Sequence, residues 1–218
     1  MAEIKKVGVL GAGLMGHGIA QVAAQSGYDV VLREVDEATL AKGIGKIEKQ
    51  LQRAVDREKL TAEQSAEIRG RITGTIEYED LADSDLVIEA ITEDLAMKLE
   101  MWQVVDSIVK PEAIFATNTS SLAVIDQAAS TERPGQFVGL HFFNPAQVMK
   151  LVEVIRAITT APETFEVALG WANSLGKLTV QTRDNAGFIV NRLLVPYMLD
   201  AIRAYEEGVG TIGEIDDA

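Results

Sequence analysis

The sequence predicts an α/β fold, a mostly parallel sheet with helices on both faces, followed by the first helix of an incomplete all-α domain. Three observations predict it. Short runs rich in valine and isoleucine alternate with segments whose apolar residues recur every three or four positions. The first strand, helix and strand occupy about 30 residues, which is the length of a βαβ unit and requires a parallel sheet. Beyond Asp184 a long apolar helix is predicted, with no strand after it.

The first strands and helices follow from apolar runs and their periodicity. The short apolar runs at 4–10 and 29–34 are typical of buried strands, and a helix is expected between them at 14–26, ending before Gly27. A long helix is expected at 37–59, because its apolar residues share one helical face. Those residues are Leu40, Ile44, Ile47, Leu51 and Val55.

The later elements have clearer boundary signals. Thr61 and Gln64 form a capping-box pattern, which predicts a short helix to about Arg69. Pro162 suits the first turn of a helix that ends near Leu175. A helix is expected at 95–109, and strands are expected at 72–76, 86–90, 113–117, 137–142, 151–158 and 178–182. Charged residues alternate with apolar ones in the strand at 151–158, so it is expected to be more exposed than the others.

A change of pattern near Asp184 divides the chain. Residues 1–184 carry the alternating strands and helices, whereas 187–207 are predicted to form one long helix that Pro196 could kink. The Gly- and Asp-rich tail at 208–218 is assigned no element. The roughly 34 residues of 185–218 are too few to build a core of their own. We therefore place a domain boundary at about 184–187.

Composition excludes several classes of protein. The 218 residues carry a net charge of −13, which disfavours nonspecific binding to nucleic acid. The chain has no cysteine, so disulfides, thiolate metal sites and a cysteine nucleophile are excluded, and we assign no metal site. The sequence has no apolar run of the roughly 18 residues that span a bilayer. Glycines interrupt the N-terminal stretch that superficially resembles a signal peptide, so we expect a cytoplasmic protein.

A glycine-rich loop indicates a nucleotide site. Gly11, Gly13 and Gly16 fit the pattern G-x-G-x-x-G between a predicted strand and a predicted helix, which is the context that the motif requires. The first glycine permits a tight turn, the second lets the backbone approach a pyrophosphate, and the third allows close packing of helix on strand. Leu14 and Met15, inside the motif, are assigned to the same site. The sequence therefore predicts a dinucleotide-binding sheet of the Rossmann type.

An acidic residue at the end of the second strand completes this pattern. Glu34 lies 18 positions after Gly16, where a carboxylate can accept hydrogen bonds from the adenosine ribose and repel a 2′-phosphate. This favours NAD over NADP, although the neighbouring Arg33 weakens the preference. Asp36 is an alternative acid for the ribose, but we favour it as the cap of the next helix.

The long helix carries a stripe of positive charge. Five basic residues recur at steps of three or four and share one narrow face opposite the apolar one. They are Lys42, Lys46, Lys49, Arg53 and Arg57, called here the basic stripe. Its ordinary interpretation is a solvated helix face. The alternative is a strip that binds the phosphates of an anionic ligand, which gains weight because the rest of the chain is acidic.

One of the two histidines is a candidate general base. A nicotinamide cofactor implies hydride transfer, and an alcohol that loses a hydride must also lose its hydroxyl proton. His141 follows a predicted strand at the sheet edge where ligands bind, whereas His17 lies in the first helix and is expected to pack or face solvent. A base also needs a partner that fixes its tautomer, and Glu153 is the isolated carboxylate of the next strand. An exposed edge charge is the alternative interpretation of Glu153.

Five motifs in a fixed order resemble those of the L-3-hydroxyacyl-CoA dehydrogenase family. They are GAGLMGHGIAQVAAQSGYDVVL, EAITEDLAMK, TNTSSL, GLHFFNPAQVMKLVEVI and DNAGFIVNRLL. The resemblance covers essentially the whole chain and is greatest to bacterial members that act on 3-hydroxybutyryl-CoA. It implies oxidation of the 3-hydroxyl of an L-3-hydroxyacyl-CoA with NAD to a 3-ketoacyl-CoA, or the reverse, in fatty acid or butanoate metabolism.

The resemblance also implies roles for single residues. His141 is expected to be the base and Glu153 its partner. Ser120 is expected to bond the substrate oxygen, with Asn144 and Asn191 completing the pocket. The basic stripe lies where the family meets the phosphates of CoA, and Lys49, Arg53 and Arg57 are assigned to that contact. The expected cofactor-binding residues are Gly11, Gly13, Leu14, Met15, Gly16, Glu34, Glu93, Lys98, Asn118, Ser120 and Asn144.

The chain differs from full-length family members in one respect, and two other interpretations of its function stay open. Full-length members are homodimers and continue further as an all-helical domain, so the chain is expected to be C-terminally truncated, with dimerisation and turnover affected. It would then be an NAD-binding fragment, or a structural member of the family, without turnover. A dehydrogenase of the 3-hydroxyisobutyrate type would use a lysine base and another glycine-rich motif, which the sequence lacks.

Overall fold

A single eight-stranded sheet organises the molecule. The structure, a computed structural model, describes residues 3–218. Its strands are β1 (Lys6–Leu10), β2 (Asp29–Arg33), β3 (Ile72–Thr75), β4 (Leu86–Glu89), β5 (Ile114–Thr117), β6 (Phe137–Phe142), β7 (Leu151–Arg156) and β8 (Leu178–Arg183). Their order across the sheet is β3-β2-β1-β4-β5-β6-β7-β8, and every neighbouring pair is parallel except β6 and β7. The predicted α/β class and mostly parallel sheet are confirmed.

Within residues 3–218, eight α-helices connect or follow the strands. They are α1 (Gly16–Gln25), α2 (Glu37–Asp56), α3 (Ala62–Gly70), α4 (Leu95–Ile108), α5 (Val124–Ala128), α6 (Pro162–Ser174), α7 (Val190–Glu206) and α8 (Ile212–Asp217). Asp36 caps α2 by accepting a hydrogen bond from the Thr39 amide, and Thr61 and Gln64 form the expected capping box of α3. Capping side chains satisfy amide groups that have no partner within the helix, which is why these two boundaries could be read from the sequence.

Helices cover both faces of the sheet and enclose two apolar cores. One core packs α1, α2 and α6 against the sheet, with Ile19, Ile47 and Phe165 among its members. The other packs α4 and α5 on the opposite face around Trp102, whose ring lies 5.0 Å from that of Phe115. Burial of such side chains is worth about 2 kcal/mol each, so both layers are held chiefly by the hydrophobic effect.

The expectation of an exposed strand at 151–158 is wrong. The strand β7 ends at Arg156 and lies inside the sheet between β6 and β8, with residues 152–155 buried. Its charged residue, Glu153, is paired in register with His141 on β6 and is fully buried. Alternation of charged and apolar residues ordinarily indicates one solvated face, but here a partner on the neighbouring strand takes the place of water.

Two short helices have no counterpart in the sequence prediction. The tail assigned no element contains α8, which Thr211 and Glu214 begin with a capping box. The five residues of α5 are too few to show a helical period, and their first amides are capped from far along the chain. The carboxylate of Asp184 accepts hydrogen bonds from the amides of Val124 at 3.0 Å and Ile125 at 2.8 Å.

The helix α7 runs along the surface. Pro196 lies inside this helix. The apolar side chains of α7 are open to solvent, and Leu193 and Tyr197 are each 69% exposed.

Within residues 3–218, none of the helices has the length and apolar character needed to cross a membrane.

Candidate functional site

A deep cleft opens at the carboxyl ends of the central strands. It has a volume of about 1060 Å³ and is lined by the ends of β1, β2, β4, β5 and β6 and by the start of α7. In sheets of this kind ligands bind outside the carboxyl ends of the strands, where the strand order reverses. The predicted site residues that line it are Gly11, Gly13, Leu14, Met15, Glu34, Glu93, Lys98, Asn118, Ser120, His141, Asn144 and Asn191.

The glycine loop has the geometry that a dinucleotide needs. Gly11 adopts a φ of 94°, which a residue with a side chain rarely does, and its amide donates to the Arg33 carbonyl at 2.8 Å. A Cβ on Gly16 would lie 1.7 Å from the Gly11 carbonyl oxygen, so Gly16 serves the packing of α1 and does not line the cleft. A Cβ on Gly13 would meet no atom of residues 3–218 within 4 Å, so this side of the loop is open to a phosphate.

Glu34 is fixed at the adenosine end of the cleft. Its carboxylate accepts from the Ala12 amide at 2.6 Å and from the Val35 amide at 2.9 Å. Each carboxylate oxygen can accept two hydrogen bonds, so capacity is left for the ribose hydroxyls. The Arg33 guanidinium lies 3.7 Å from the centre of the Tyr78 ring and donates to the Ile76 carbonyl. These residues fit an NAD molecule at this end.

A charged cluster also lines the cleft. The ammonium of Lys98, 1% exposed, lies 3.0 Å from a Glu89 carboxylate oxygen and 2.5 Å from one of Glu93. Burial opposes ionisation of Glu93, but hydrogen bonds from Lys98 and Thr119, with the Lys98 charge, bring its pKa below the ordinary value. Glu93 and Lys98 were predicted from the sequence, whereas Glu89 was not. Its position at the carboxyl end of a buried strand was the available signal.

Polar residues of two loops and of the start of α7 line the cleft together with His141. The Asn118 side-chain oxygen accepts from the Phe142 amide at 2.9 Å. The Asn191 side chain donates to the Ser120 carbonyl at 3.2 Å, which ties the start of α7 to the loop after β5. Asn144 is exposed at the rim of the cleft. The structure thus brings together residues that are up to 73 positions apart in the sequence.

His141 and Glu153 form a buried pair. The imidazole Nδ1 lies 2.7 Å from a Glu153 carboxylate oxygen, and His141 lines the cleft while Glu153 lies behind it. The other carboxylate oxygen accepts from the amides of Ile189 and Val190, each at 2.9 Å. In the neutral ring, a carboxylate that accepts from Nδ1 holds the single ring proton there, and Nε2 is then the free acceptor.

A strained turn presents those two amides. Gly187 has a φ of 74° and Phe188 a φ of 48°, an uncommon conformation for a residue with a large side chain. The Phe188 ring is buried 5.6 Å from the imidazole of His141. Backbone strain persists only where its surroundings enforce it, and here the turn directs the start of α7 at Glu153.

The remaining predicted residues lie outside the cleft. His17 is buried and its Nδ1 lies 2.5 Å from the Gly13 carbonyl oxygen, and burial lowers its pKa. The basic stripe is fully on the surface, with Arg57 just past the end of α2. In the part of the chain that the structure describes, none of its five residues forms an ion pair or lines the cleft.

Two family models match the chain. The model described as 3-hydroxyacyl-CoA dehydrogenase, NAD binding domain, matches residues 6–185, and the model for the C-terminal domain of the same enzyme matches residues 187–218.

Similar curated proteins carry related names. A 3-hydroxybutyryl-CoA dehydrogenase of Bradyrhizobium diazoefficiens is 44% identical over 217 residues, which are 100% of this chain and 74% of the relative. The mitochondrial hydroxyacyl-coenzyme A dehydrogenase of Homo sapiens is 46% identical, over 99% of this chain and 70% of the relative. The chain therefore spans roughly three quarters of the length of the curated relatives that it matches.

Solved structures agree with this likeness. That of FadB2 from M. tuberculosis has a TM-score of 0.95 at 43% identity, covering 98% of this chain and 75% of the other. That of the (S)-3-hydroxybutyryl-CoA dehydrogenase PaaH1 from Ralstonia eutropha has a TM-score of 0.95 at 39% identity, covering 97% and 75%.

Proposed function

The chain belongs to the 3-hydroxyacyl-CoA dehydrogenase family, as its motifs predicted, and on that basis we propose that it oxidises L-3-hydroxybutyryl-CoA to acetoacetyl-CoA with NAD, or catalyses the reverse reaction. The observation that carries the proposal is the pairing of His141 with Glu153 at 2.7 Å on the wall of the nucleotide cleft. A base with a fixed tautomer and a hydride acceptor are the two components that oxidation of an alcohol requires.

The proton and the hydride of the substrate go to two different acceptors, His141 and the cofactor. His141 Nε2 takes the proton of the 3-hydroxyl, and the Glu153 carboxylate stabilises the imidazolium that forms. NAD, when bound, would supply the acceptor for the hydride of the carbon atom that bears this hydroxyl, and the C–O bond becomes a carbonyl. In the reverse direction the imidazolium returns its proton to the alkoxide oxygen.

Three polar residues would orient the substrate. In this proposal the Ser120 hydroxyl donates to the reacting oxygen, and Asn144 and Asn191 close the sides of the pocket. The hydrogen bond from Asn191 to the Ser120 carbonyl supports this arrangement, because it fixes the backbone of Ser120 against α7. Positioning of this kind converts binding energy into rate only when the reacting atoms lie within about 3.5 Å.

The cofactor residues keep the roles that the sequence predicted. Gly11, Gly13 and the neighbouring Leu14 and Met15 would hold the pyrophosphate, and Glu34 the adenosine ribose. Glu93, Lys98 and Asn118 would contact the nicotinamide half, with Ser120 and Asn144 nearby. The N-terminal end of α1 supports this placement, since its free amides favour an anion.

Domain division and assembly are also proposals. We assign residues 1–184 to the NAD-binding domain and 185–218 to the start of the helical domain, although α7 contributes Asn191 and two backbone amides to the site. The homodimer implied by the family and the cytoplasmic location remain predictions.

The basic stripe is proposed to bind the phosphates of CoA. Replacing Lys49 and Arg53 by glutamate should raise the KM for acetoacetyl-CoA about tenfold, because an attraction becomes a repulsion. The KM for acetoacetyl-pantetheine, which lacks the nucleotide, should stay within about twofold of wild type. Steady-state kinetics with both substrates measures the difference.

Lys59→Glu is the matched control for the stripe. Lys59 is exposed just beyond α2 but off the stripe, and its reversal changes the net charge as much as Lys49→Glu does. An equal rise in KM for Lys59→Glu and Lys49→Glu would assign the effect to net charge. An unchanged KM in the double variant would leave the stripe an ordinary solvated face.

The proposed reaction is tested by NADH formation. The purified chain should reduce NAD with L-3-hydroxybutyryl-CoA, should oxidise NADH with acetoacetyl-CoA, and should discriminate against the D-isomer. Absorbance at the NADH band follows both directions. Tight NADH binding without turnover in either direction would favour the alternative of an NAD-binding fragment or structural member.

A further inference from the structure

Glu89 is a buried carboxylate that the proposed mechanism does not use. It ends β4, is fully buried as a side chain, and borders the cleft. Its carboxylate oxygens are the acceptors for the Ile91 amide at 2.8 Å, the Lys98 ammonium at 3.0 Å and the Thr117 hydroxyl at 2.6 Å. An isolated buried carboxylate is costly, so a site that provides three donors is built for an anion.

The donors around Glu89 match its ionised form. Burial raises the pKa of the Glu89 carboxyl, and the Lys98 charge and the hydrogen bonds offset only part of that rise. The Lys98 ammonium at 3.0 Å and the Ile91 amide at 2.8 Å face the same carboxylate oxygen, and both groups can only donate. An oxygen without a proton satisfies both of them, so this geometry favours the carboxylate.

Lys98 connects Glu89 to the surface of the cleft. Its ammonium bridges the carboxylates of Glu89 and Glu93, and the Glu93 side chain is 38% exposed. Glu93 in turn accepts hydrogen bonds from the Thr119 hydroxyl and from the Ser120 amide at 3.2 Å. The three charged residues Glu89, Lys98 and Glu93, called here the buried triad, therefore determine where the segment 119–121 lies.

The buried triad lies at the nicotinamide end of the cleft. In the proposed reaction the hydride leaves a carbon atom and the proton leaves the oxygen bonded to that carbon. The acceptor of the hydride, the nicotinamide ring, therefore lies beside the substrate that His141 contacts. Ser120, bonded to Glu93, lines the cleft together with His141. Two carboxylates and one ammonium leave the triad with one net negative charge in a partly dehydrated site.

We propose that Glu89 is a positioning residue that acts through Lys98 and Glu93, and that the net negative charge it gives the buried triad raises the affinity of this site for oxidised relative to reduced cofactor. The nicotinamide ring is positively charged in NAD⁺ and uncharged in NADH, so a nearby negative charge stabilises only the oxidised form. The proposal rests on the proposed function, since it needs the cofactor in this cleft.

The ratio of the two dissociation constants tests this. Glu89→Gln keeps the shape of the side chain and removes its charge, so the ratio of Kd for NAD⁺ to Kd for NADH should rise about tenfold. Calorimetry gives the Kd for NAD⁺ and fluorescence titration that for NADH. A merely structural role would weaken both forms alike and leave the ratio unchanged, which would overturn the proposal.

Two further variants separate charge from geometry. Glu89→Asp keeps the charge of the side chain, so it should leave the ratio within about twofold of wild type. Glu100→Gln removes an exposed charge that lines the same cleft without joining the triad, and screening should keep its ratio near wild type too. A shift in either variant as large as that of Glu89→Gln would overturn the proposal.

The test does not depend on one variant or on catalysis. If Glu89→Gln does not fold, Glu93→Gln removes a charge from the same triad, and an unchanged ratio there would overturn the proposal as well. The wild-type titration is a separate check, because a chain that bound neither form of the cofactor would contradict the proposed function rather than the role of Glu89.

Discussion

Replacing His141 by glutamine should lower kcat by about three orders of magnitude while the Kd for NADH stays within about twofold of wild type. Glutamine is near the size of histidine and can still hydrogen-bond to Glu153, but its amide cannot take a proton from an alcohol. Because His141 is 6% exposed and contacts the cleft with one ring edge, the loss of binding surface for the cofactor is small. Stopped-flow turnover and NADH fluorescence titration measure the two quantities.

His17→Asn is the matched control for this result. His17 is the second histidine of the chain and is equally buried, but its ring lies outside the cleft against the Gly13 carbonyl. An asparagine amide can donate to the same carbonyl, so kcat should stay within a fewfold of wild type. Retained turnover in His141→Gln would remove His141 from its role, and an equal loss in both variants would assign the effect to folding.

Much of the fold could be predicted because its signals are local. Valine-rich runs, the Thr61 cap and the glycine loop each depend on a few neighbouring residues, and the observed strands lie within about two residues of the predicted ones. Of the two helices that the sequence prediction lacked, α8 has a local capping box, whereas α5 depends on a distant partner. The amides of α5 are capped by Asp184 from 60 positions away, and no local pattern indicates such a contact.

In the candidate site, too, residues with a local sequence signal were predicted, whereas contacts between distant residues were not. The glycine loop and Glu34 could be found by spacing alone, whereas Glu89 was missed because its partner Lys98 approaches from α4. Glu153 was predicted to be the partner of His141 because it is an isolated carboxylate, but its strand was expected to be exposed. The antiparallel register of β6 and β7 places the two residues opposite each other, and register is a property of the folded sheet.

Replacing Glu153 by glutamine should lower kcat by two to four orders of magnitude, an effect about as large as the loss of the base itself. The carboxylate accepts from His141 Nδ1 with one oxygen and from the amides of Ile189 and Val190 with the other. A carboxamide has one acceptor and one donor, so it cannot serve both sides. With its NH₂ toward His141, it shifts the ring proton to Nε2 and removes the base. With its NH₂ toward α7, three donors face one another and the strained turn is destabilised.

The two orientations of the introduced carboxamide differ in where the His141 ring proton lies and in whether the turn before α7 is destabilised. Asp184→Asn is the matched control for a general effect of losing a helix cap. Asp184 also holds two backbone amides at the start of a helix, α5, but contacts no histidine. Its asparagine variant should lose about 1 kcal/mol of stability with kcat within a fewfold of wild type.

Nitrogen chemical shifts of the His141 ring should show the proton on Nδ1 in wild type and in Asp184→Asn, and on Nε2 in Glu153→Gln if the carboxamide turns its NH₂ toward His141. A Glu153→Gln enzyme with wild-type kcat, or an Asp184→Asn enzyme with an equal loss of kcat, would mean that the carboxylate anchors α7 and does not set the tautomer of the base.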